Sequence, residues 1–172
     1  KRQDGTVLGR NADGEIWVRG PAMMQGYRDA EQNAAAFSED GFFKTGDIGQ
    51  LLDSEAIVIT DRKKDIIIRG GENLSAREIE EIVLLHPAVA EAAAVSAPHE
   101  RLGESVAVFV TLYGDEAPTL AMLTELCAEH QLAKQKWPQW LSVVAEMPKT
   151  PSGKIQKAAL RAQLKEQGVQ LS

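Results

Sequence analysis

Four short stretches of this 172-residue chain hold residue types that can do chemistry. Thr45-Gly46-Asp47 follows an apolar run. An ionised aspartate offers only acceptors, so on a short turn it can take hydrogen bonds from two neighbouring hydroxyls of a sugar, while the glycine lets the ligand approach the backbone. The same residues also make an ordinary turn. Arg62-Lys63-Lys64 is a cationic cluster that suits a phosphate or simply a solvated linker. Gly70-Gly71-Glu72-Asn73 reads as a flexible turn with free backbone N–H groups ahead of a capped helix, fit for an anion or an amide and equally for any strand-to-helix turn. The loop Pro148-Lys149-Thr150-Pro151-Ser152-Gly153-Lys154 has prolines to stiffen it, a glycine to bend it and a lysine at its tip. It is not a P-loop, because Pro148 stands where that motif needs glycine and Ile155 where it needs Ser or Thr.

Other chemistries find little support. His86, His99 and His130 fall in separate elements without ligand spacing, so no metal site is expected from them. The chain has no Gly-x-Ser-x-Gly elbow and no matched Cys/His pair. Cys127, at helical spacing from Leu123, reads as a small core residue in a reducing, cytoplasmic setting. With 25 acids against 19 bases and a formal charge of −6, the chain has no Lys/Arg-rich face and its cations form only local clusters, which argues against nucleic acid as the main partner. Val106 to Tyr113, its longest nearly apolar stretch, is less than half of the ~20 residues a membrane-spanning helix needs, so no transmembrane segment is expected. Lys1-Arg2-Gln3-Asp4-Gly5 opens the chain with no apolar run behind it, which is not a secretion signal.

Regular elements must position these residues. From Gly14 to about Thr60 the pattern is of short strands: Glu15-Ile16-Trp17-Val18-Arg19 alternates, Asp40-Gly41 turns the chain before Phe42-Phe43, and Asp29 with Gln32 opens a short helix through Ala34-Ala35-Ala36. β-Branched runs at 56–60 and 65–69 flank the charged link 61–64. Beyond it helices and strands interleave. Ser75 and Glu78 form a capping box for a helix carrying Ile79, Ile82, Val83 and His86 to Pro87. The stretch 88–95 is alanine-rich like a helix but has a strand's length between prolines, and the strand is preferred. A strand over 105–113 places Val106, Val108, Val110 and Leu112 on one side. Thr119 caps a helix with Leu120, Leu123, Leu126 and Cys127, 141–145 is a short strand, and 156–167 is a last helix ended by Gly168. The prediction is an α+β chain whose second part is a domain of about 110 residues.

In order, Gly14-Glu15-Ile16-Trp17-Val18-Arg19-Gly20, Gly26-Tyr27, Lys44-Thr45-Gly46-Asp47-Ile48-Gly49, Asp61-Arg62-Lys63-Lys64-Asp65, Gly70-Gly71-Glu72-Asn73-Leu74 through Glu78-Ile79-Glu80, and Pro148-Lys149-Thr150-Pro151-Ser152-Gly153-Lys154-Ile155 resemble the adenylate-forming enzymes: acyl-CoA synthetases, peptide-synthetase adenylation domains and luciferases. The resemblance implies a large N-terminal and a small C-terminal domain with the active site between them. This chain resembles only the last third. Residues 1–60 resemble the β-rich end of the large AMP-binding domain, 61–64 its hinge, and 65–172 the whole mobile C-terminal domain. The phosphate-holding loop, the adenine motif and the acyl pocket belong to the part that nothing here matches.

By position, Asp47 resembles the aspartate that grips the ATP ribose hydroxyls, and Arg62 an arginine adding a second contact to the nucleotide. Lys64 falls at the hinge, and Lys154 resembles the lysine that bridges carboxylate and nucleotide during adenylation. Gly70 and Gly71 resemble the face that meets the pantetheine of coenzyme A after the small domain turns. The resemblance implies ATP, coenzyme A and Mg²⁺, the metal's ligands lying in the missing N-terminal part. Lys64-Asp65 and Gly71-Glu72-Asn73 look more like the acyl-CoA synthetase branch. Ala56 and Gln135 depart from the usual glycine and tyrosine, at places that concern turn stability and packing. The expectation is the C-terminal fragment of a fatty or medium-chain carboxylate–CoA ligase, inactive alone. Its rivals are an adenylation domain loading a carrier protein and a non-catalytic docking module.

Overall fold

Three antiparallel strands build the first sheet. β1 (Gly14–Val18), β2 (Phe43–Leu51) and β3 (Ile57–Arg62) pair in that order, each antiparallel to its neighbour. α1 (Ala30–Ala36) enters where Asp29 accepts the N–H groups of Glu31 and Gln32, satisfying two of the donors a helix start leaves open. The computed structural model describes residues 5–172, so the reading of Lys1-Arg2-Gln3-Asp4 as no secretion signal lies outside them. The chain divides into two compact units, Lys1–Lys64 and Asp65–Ser172.

The second unit is built on a mixed sheet. β4 (Ile67–Arg69), β5 (Glu72–Leu74), β6 (Val89–His99), β7 (Gly103–Leu112) and β8 (Trp140–Val143) are ordered β5-β4-β7-β6, with β8 parallel to β7. α2 (Ala76–Val83), α3 (Leu120–Glu129) and α4 (Lys157–Glu166) cover it. Val106, Val108 and Val110 share one face with Ile79, Val83, Leu123 and Cys127, as their spacing predicts. The intervening Ala107 and Phe109 are buried as well, with Ala93, Val95, Leu160 and Leu164. The central strand therefore has no solvated side. The alanines of β6 serve that arrangement, since Ala92 and Ala94 face one apolar cluster and Ala93 and Ala97 the other.

Several elements differ at their ends from the sequence reading. α2 stops at Val83, and His86 lies beyond it, its N–H bonded three residues back to Val83, because Pro87 disfavours a helical conformation for the residue before it. β6 continues through Pro98 to His99, which an edge strand permits. β8 begins at Trp140 and ends at Val143. The Ser75 hydroxyl caps α2 through Glu78 N–H at 3.2 Å, but the Glu78 carboxylate pairs with Lys136 at 2.6 Å, so half of the expected box forms. The α+β class stands.

Gly49 is a steric requirement of the first sheet. It sits at a register shift between β2 and β3, and a Cβ there would lie 2.4 Å from the Val58 carbonyl oxygen and 2.9 Å from Ile16 Cδ1. Backbone cannot yield as a side chain does, so Gly49→Ala is expected to cost about 1–3 kcal/mol, the range for overpacking. A thermal unfolding midpoint equal to that of the parent would contradict this.

Candidate functional site

Asp47 and Arg62 face each other across β2 and β3, which pair Asp47 with Arg62 in register. Arg62 Nε lies 2.8 Å from Asp47 Oδ1, with side chains 47% and 29% exposed. An ion pair this open contributes at most about 1 kcal/mol to stability. Its geometry still matters: an acceptor-only carboxylate and a planar five-donor guanidinium stand side by side, as recognition of a polyhydroxyl or phosphate group needs.

Thr45-Gly46-Asp47 is not on a turn, contrary to the sequence reading. It is a bulge inside β2, where three residues stand opposite Ile16 alone between the pairs Glu15↔Ile48 and Trp17↔Lys44. The Thr45 hydroxyl donates to Ile16 O at 2.7 Å and accepts the Asp47 N–H at 3.1 Å. Gly46 takes the positive φ of 73° that lets the strand bulge, re-aiming the residue after it.

Glu15 lies behind the bulge, only 6% exposed. Burial raises its carboxyl pKa, but the Lys63 ammonium at 2.9 Å, the Trp17 indole N–H and the Gly46 backbone N–H outweigh that and hold it below the ordinary glutamate value. One carboxylate thus ties the bulge to Lys63. The expected linker 61–64 is more ordered than its charge suggests: Asp61 and Arg62 finish β3, and Lys63–Asp65 form a single 3₁₀ turn. Lys64 is exposed, with no hydrogen-bond or ion-pair partner among the described residues. Asp65 is buried and lies 3.6 Å from Arg161 of α4.

In the second unit, Gly70 and Gly71 connect β4 to β5 as a two-residue hairpin, with Arg69 paired to Glu72 and positive φ of 59° and 87° at the two glycines. Such tight connections favour glycine because both central residues need positive φ. The expected set of free N–H groups is smaller, since Gly70 N–H is bonded to Leu102 O at 2.9 Å.

Lys154 stands at the tip of a loop held at both ends. Lys149 pairs with Glu91 at 2.7 Å, and Lys157 pairs at 2.7 Å with Glu80, whose carboxylate also accepts the Ala94 N–H. Thr150 N–H donates to Lys154 O at 2.8 Å, Gly153 N–H to Thr150 O at 2.8 Å, and Gln156 N–H to Pro148 O at 2.7 Å. Lys154 itself is exposed, and its ammonium has no hydrogen-bond or ion-pair partner among the described residues. Sequence reasoning named Lys154, Asp47, Arg62, Lys64, Gly70 and Gly71 as candidates and did not single out Glu15, Glu80 and Glu91, whose lysine partners lie far away along the chain. No group of three His, Cys, Asp or Glu side chains among the described residues fits a metal ion, and no residue here is assigned a role toward Mg²⁺. No helix among them is long and apolar enough to cross a membrane.

Residues 78–154 match the family described as AMP-binding enzyme C-terminal domain. The chain is 46% identical over 154 residues to the 2,3-dihydroxybenzoate-AMP ligase of Bacillus subtilis, covering 89% of this chain and 28% of that protein. It is 41% identical over 160 residues to the medium-chain fatty-acid–CoA ligase of Escherichia coli, covering 90% and 28%. The ATP-bound MatB crystal structure from Rhodopseudomonas palustris superposes with a TM-score of 0.87 at 34% identity, over 96% of this chain and 33% of that one. The chain thus spans under a third of the curated relatives it matches.

The lowered pKa of Glu15 gives a signed expectation. A carboxyl depressed in the folded state adds stability above its unfolded pKa, near 4.5, and loses that contribution as pH falls through the folded value. Glu15→Gln is therefore expected to unfold at a lower temperature than the parent at neutral pH, with the gap closing as the pH falls below about 4.5. A gap independent of pH would show that the charge of Glu15 is not what stabilises the bulge.

Proposed function

Because this chain belongs to the adenylate-forming superfamily and carries its AMP-binding enzyme C-terminal domain, we propose that it is the C-terminal part of an ATP-dependent carboxylate–CoA ligase. The observation that carries the reading is Lys154: an exposed, unpartnered ammonium on a loop clamped by Lys149–Glu91 and Lys157–Glu80. A cation held ready at such a tip suits a reaction that presses two anions together.

In the first half-reaction a carboxylate oxygen attacks the α-phosphorus of ATP, forming the acyl-adenylate as the bond to pyrophosphate breaks. Asp47 accepts hydrogen bonds from the ribose hydroxyls, and Arg62 adds a donor to the nucleotide. Lys154 bridges the carboxylate and the nucleotide. Two unit charges about 4 Å apart at an effective dielectric near 20 interact by about 4 kcal/mol, worth roughly three orders of magnitude in rate. In the second half-reaction the coenzyme A sulfur attacks the acyl carbonyl carbon, its proton is lost, and AMP leaves. The Gly70-Gly71 turn meets the pantetheine there, and Lys154 is withdrawn.

Lys64 is the hinge for that exchange. Its neighbours support the assignment, since Lys63 is paired with Glu15 and Asp65 with Arg161, which leaves Lys64 the residue between two anchored ones. Backbone rotation at one such position switches a domain between states. Residues 1–60 then belong to the large AMP-binding domain, 61–64 to the hinge and 65–172 to the mobile domain. Mg²⁺ accompanies ATP, held by residues outside this chain. The setting is cytoplasmic, where ATP and coenzyme A are available and the buried thiol of Cys127 stays reduced.

A second reading, an adenylation enzyme delivering to a carrier protein, draws support from the identity to an aryl-acid AMP ligase. A third, a non-catalytic docking module, has against it the joint presence of Asp47, Arg62 and Lys154. The full-length enzyme is expected to turn over with carboxylate, ATP and free coenzyme A. Thioester formed only when a phosphopantetheinylated carrier is supplied would overturn the CoA-ligase assignment in favour of the second reading. Carboxylate-dependent ATP–pyrophosphate exchange by the 172-residue chain alone is expected to equal the enzyme-free control, and clear exchange would contradict its being one part of the site.

A further inference from the structure

His99 lies at the end of β6, 5% exposed, and nothing in the mechanism above uses it. Its Nδ1 accepts the backbone N–H groups of Arg101 and Leu102, both at 3.2 Å. These two bonds shape the turn between β6 and β7, and that turn holds the glycine pair. Leu102 O accepts the Gly70 N–H at 2.9 Å, Gly103 pairs with Arg69, and the Glu104 carboxylate accepts the Ile68 N–H at 2.7 Å. The contact is close on the side-chain side as well, since a Cβ on Gly70 would stand 3.4 Å from Leu102 Cδ2.

We propose that His99 is a positioning residue for the second half-reaction: by accepting the Arg101 and Leu102 amides at Nδ1 it fixes the Leu102 carbonyl that anchors Gly70, and so sets the turn that meets the pantetheine thiol. The inference rests on the assignment of Gly70 and Gly71 to the thiol side. It makes His99 selective for one step, because the turn takes no part in adenylation. A misplacement near 1 Å in a positioning element costs up to about a hundredfold in rate.

The test contrasts two amides in the full-length enzyme. Asparagine carries Oδ1 as many bonds from Cα as His99 Nδ1, whereas glutamine carries its oxygen one bond farther, like Nε2. His99→Asn is expected to keep thioester formation from preformed acyl-adenylate within about threefold of the parent, and His99→Gln to lose about ten- to a hundredfold. ATP–pyrophosphate exchange should stay near the parent's rate in both. If the glutamine variant does not fold, His99→Ala should give the same step-selective loss. Equal loss of both half-reactions, or equal behaviour of the Asn and Gln variants, would overturn the proposal. Gly70→Val separates the two levels. Selective loss of the thioester step in Gly70→Val with none in His99→Gln would reject His99 alone, whereas no loss in Gly70→Val would reject the thiol-side assignment and His99 with it.

Discussion

Burying the Glu15 carboxylate is tolerable because the Lys63 ammonium stands 2.9 Å away and the Gly46 backbone N–H also favours its charged form. An unpaired ion at that depth would be strongly destabilising. The backbone donor belongs to Gly46, the residue that lets β2 bulge, and the ammonium belongs to Lys63, at the end of the same unit. The bulge in turn sets Asp47 opposite Arg62. A single satisfied carboxylate therefore links the Asp47–Arg62 pair to the residue before the proposed hinge, which explains how an exposed and energetically weak pair keeps a defined geometry.

The second unit meets a comparable demand with different means. Its central strand is buried on both faces, so the rigid part of the unit is the sheet with α2, α3 and α4 against it. The residues proposed to carry chemistry lie on the connections. Lys154 sits on a loop whose ends are fastened to β6 and α2 through Glu91 and Glu80, and Gly70 on a hairpin fastened to the β6–β7 turn. Each is a connection held by carboxylate or carbonyl anchors on β6, α2 or the β6–β7 turn. Preorganised donors of this kind need little rearrangement at the moment of reaction.

The sequence was informative where local chemistry decides the structure. Asp29, Ser75 and Thr119 cap the helices that follow them, and the valines of β7 share a face as their period of two requires. It was misleading where long-range pairing decides. Thr45-Gly46-Asp47 has the composition of a turn, yet pairing with β1 and β3 on either side turns it into a bulge. Asp61 and Arg62 look like a solvated link because their partners, Ile48 and Asp47, lie far back along the chain. Glu15, Glu80 and Glu91 were invisible as anchors for the same reason: only its distant partner lysine distinguishes each from a solvated glutamate. The ordered motifs sufficed for the family, since they name residues without needing to place them.

The central claim is that one exposed ammonium serves one of two half-reactions. Single-turnover rates for the two steps, measured separately on Lys154→Ala in the full-length enzyme, test it most directly. The account predicts that adenylate formation falls by about two to three orders of magnitude, the effect of deleting one preorganised transition-state contact, while thioester formation from supplied acyl-adenylate stays near the parent's rate. Losses of equal size in both steps, or a change of no more than a fewfold in either, would contradict it.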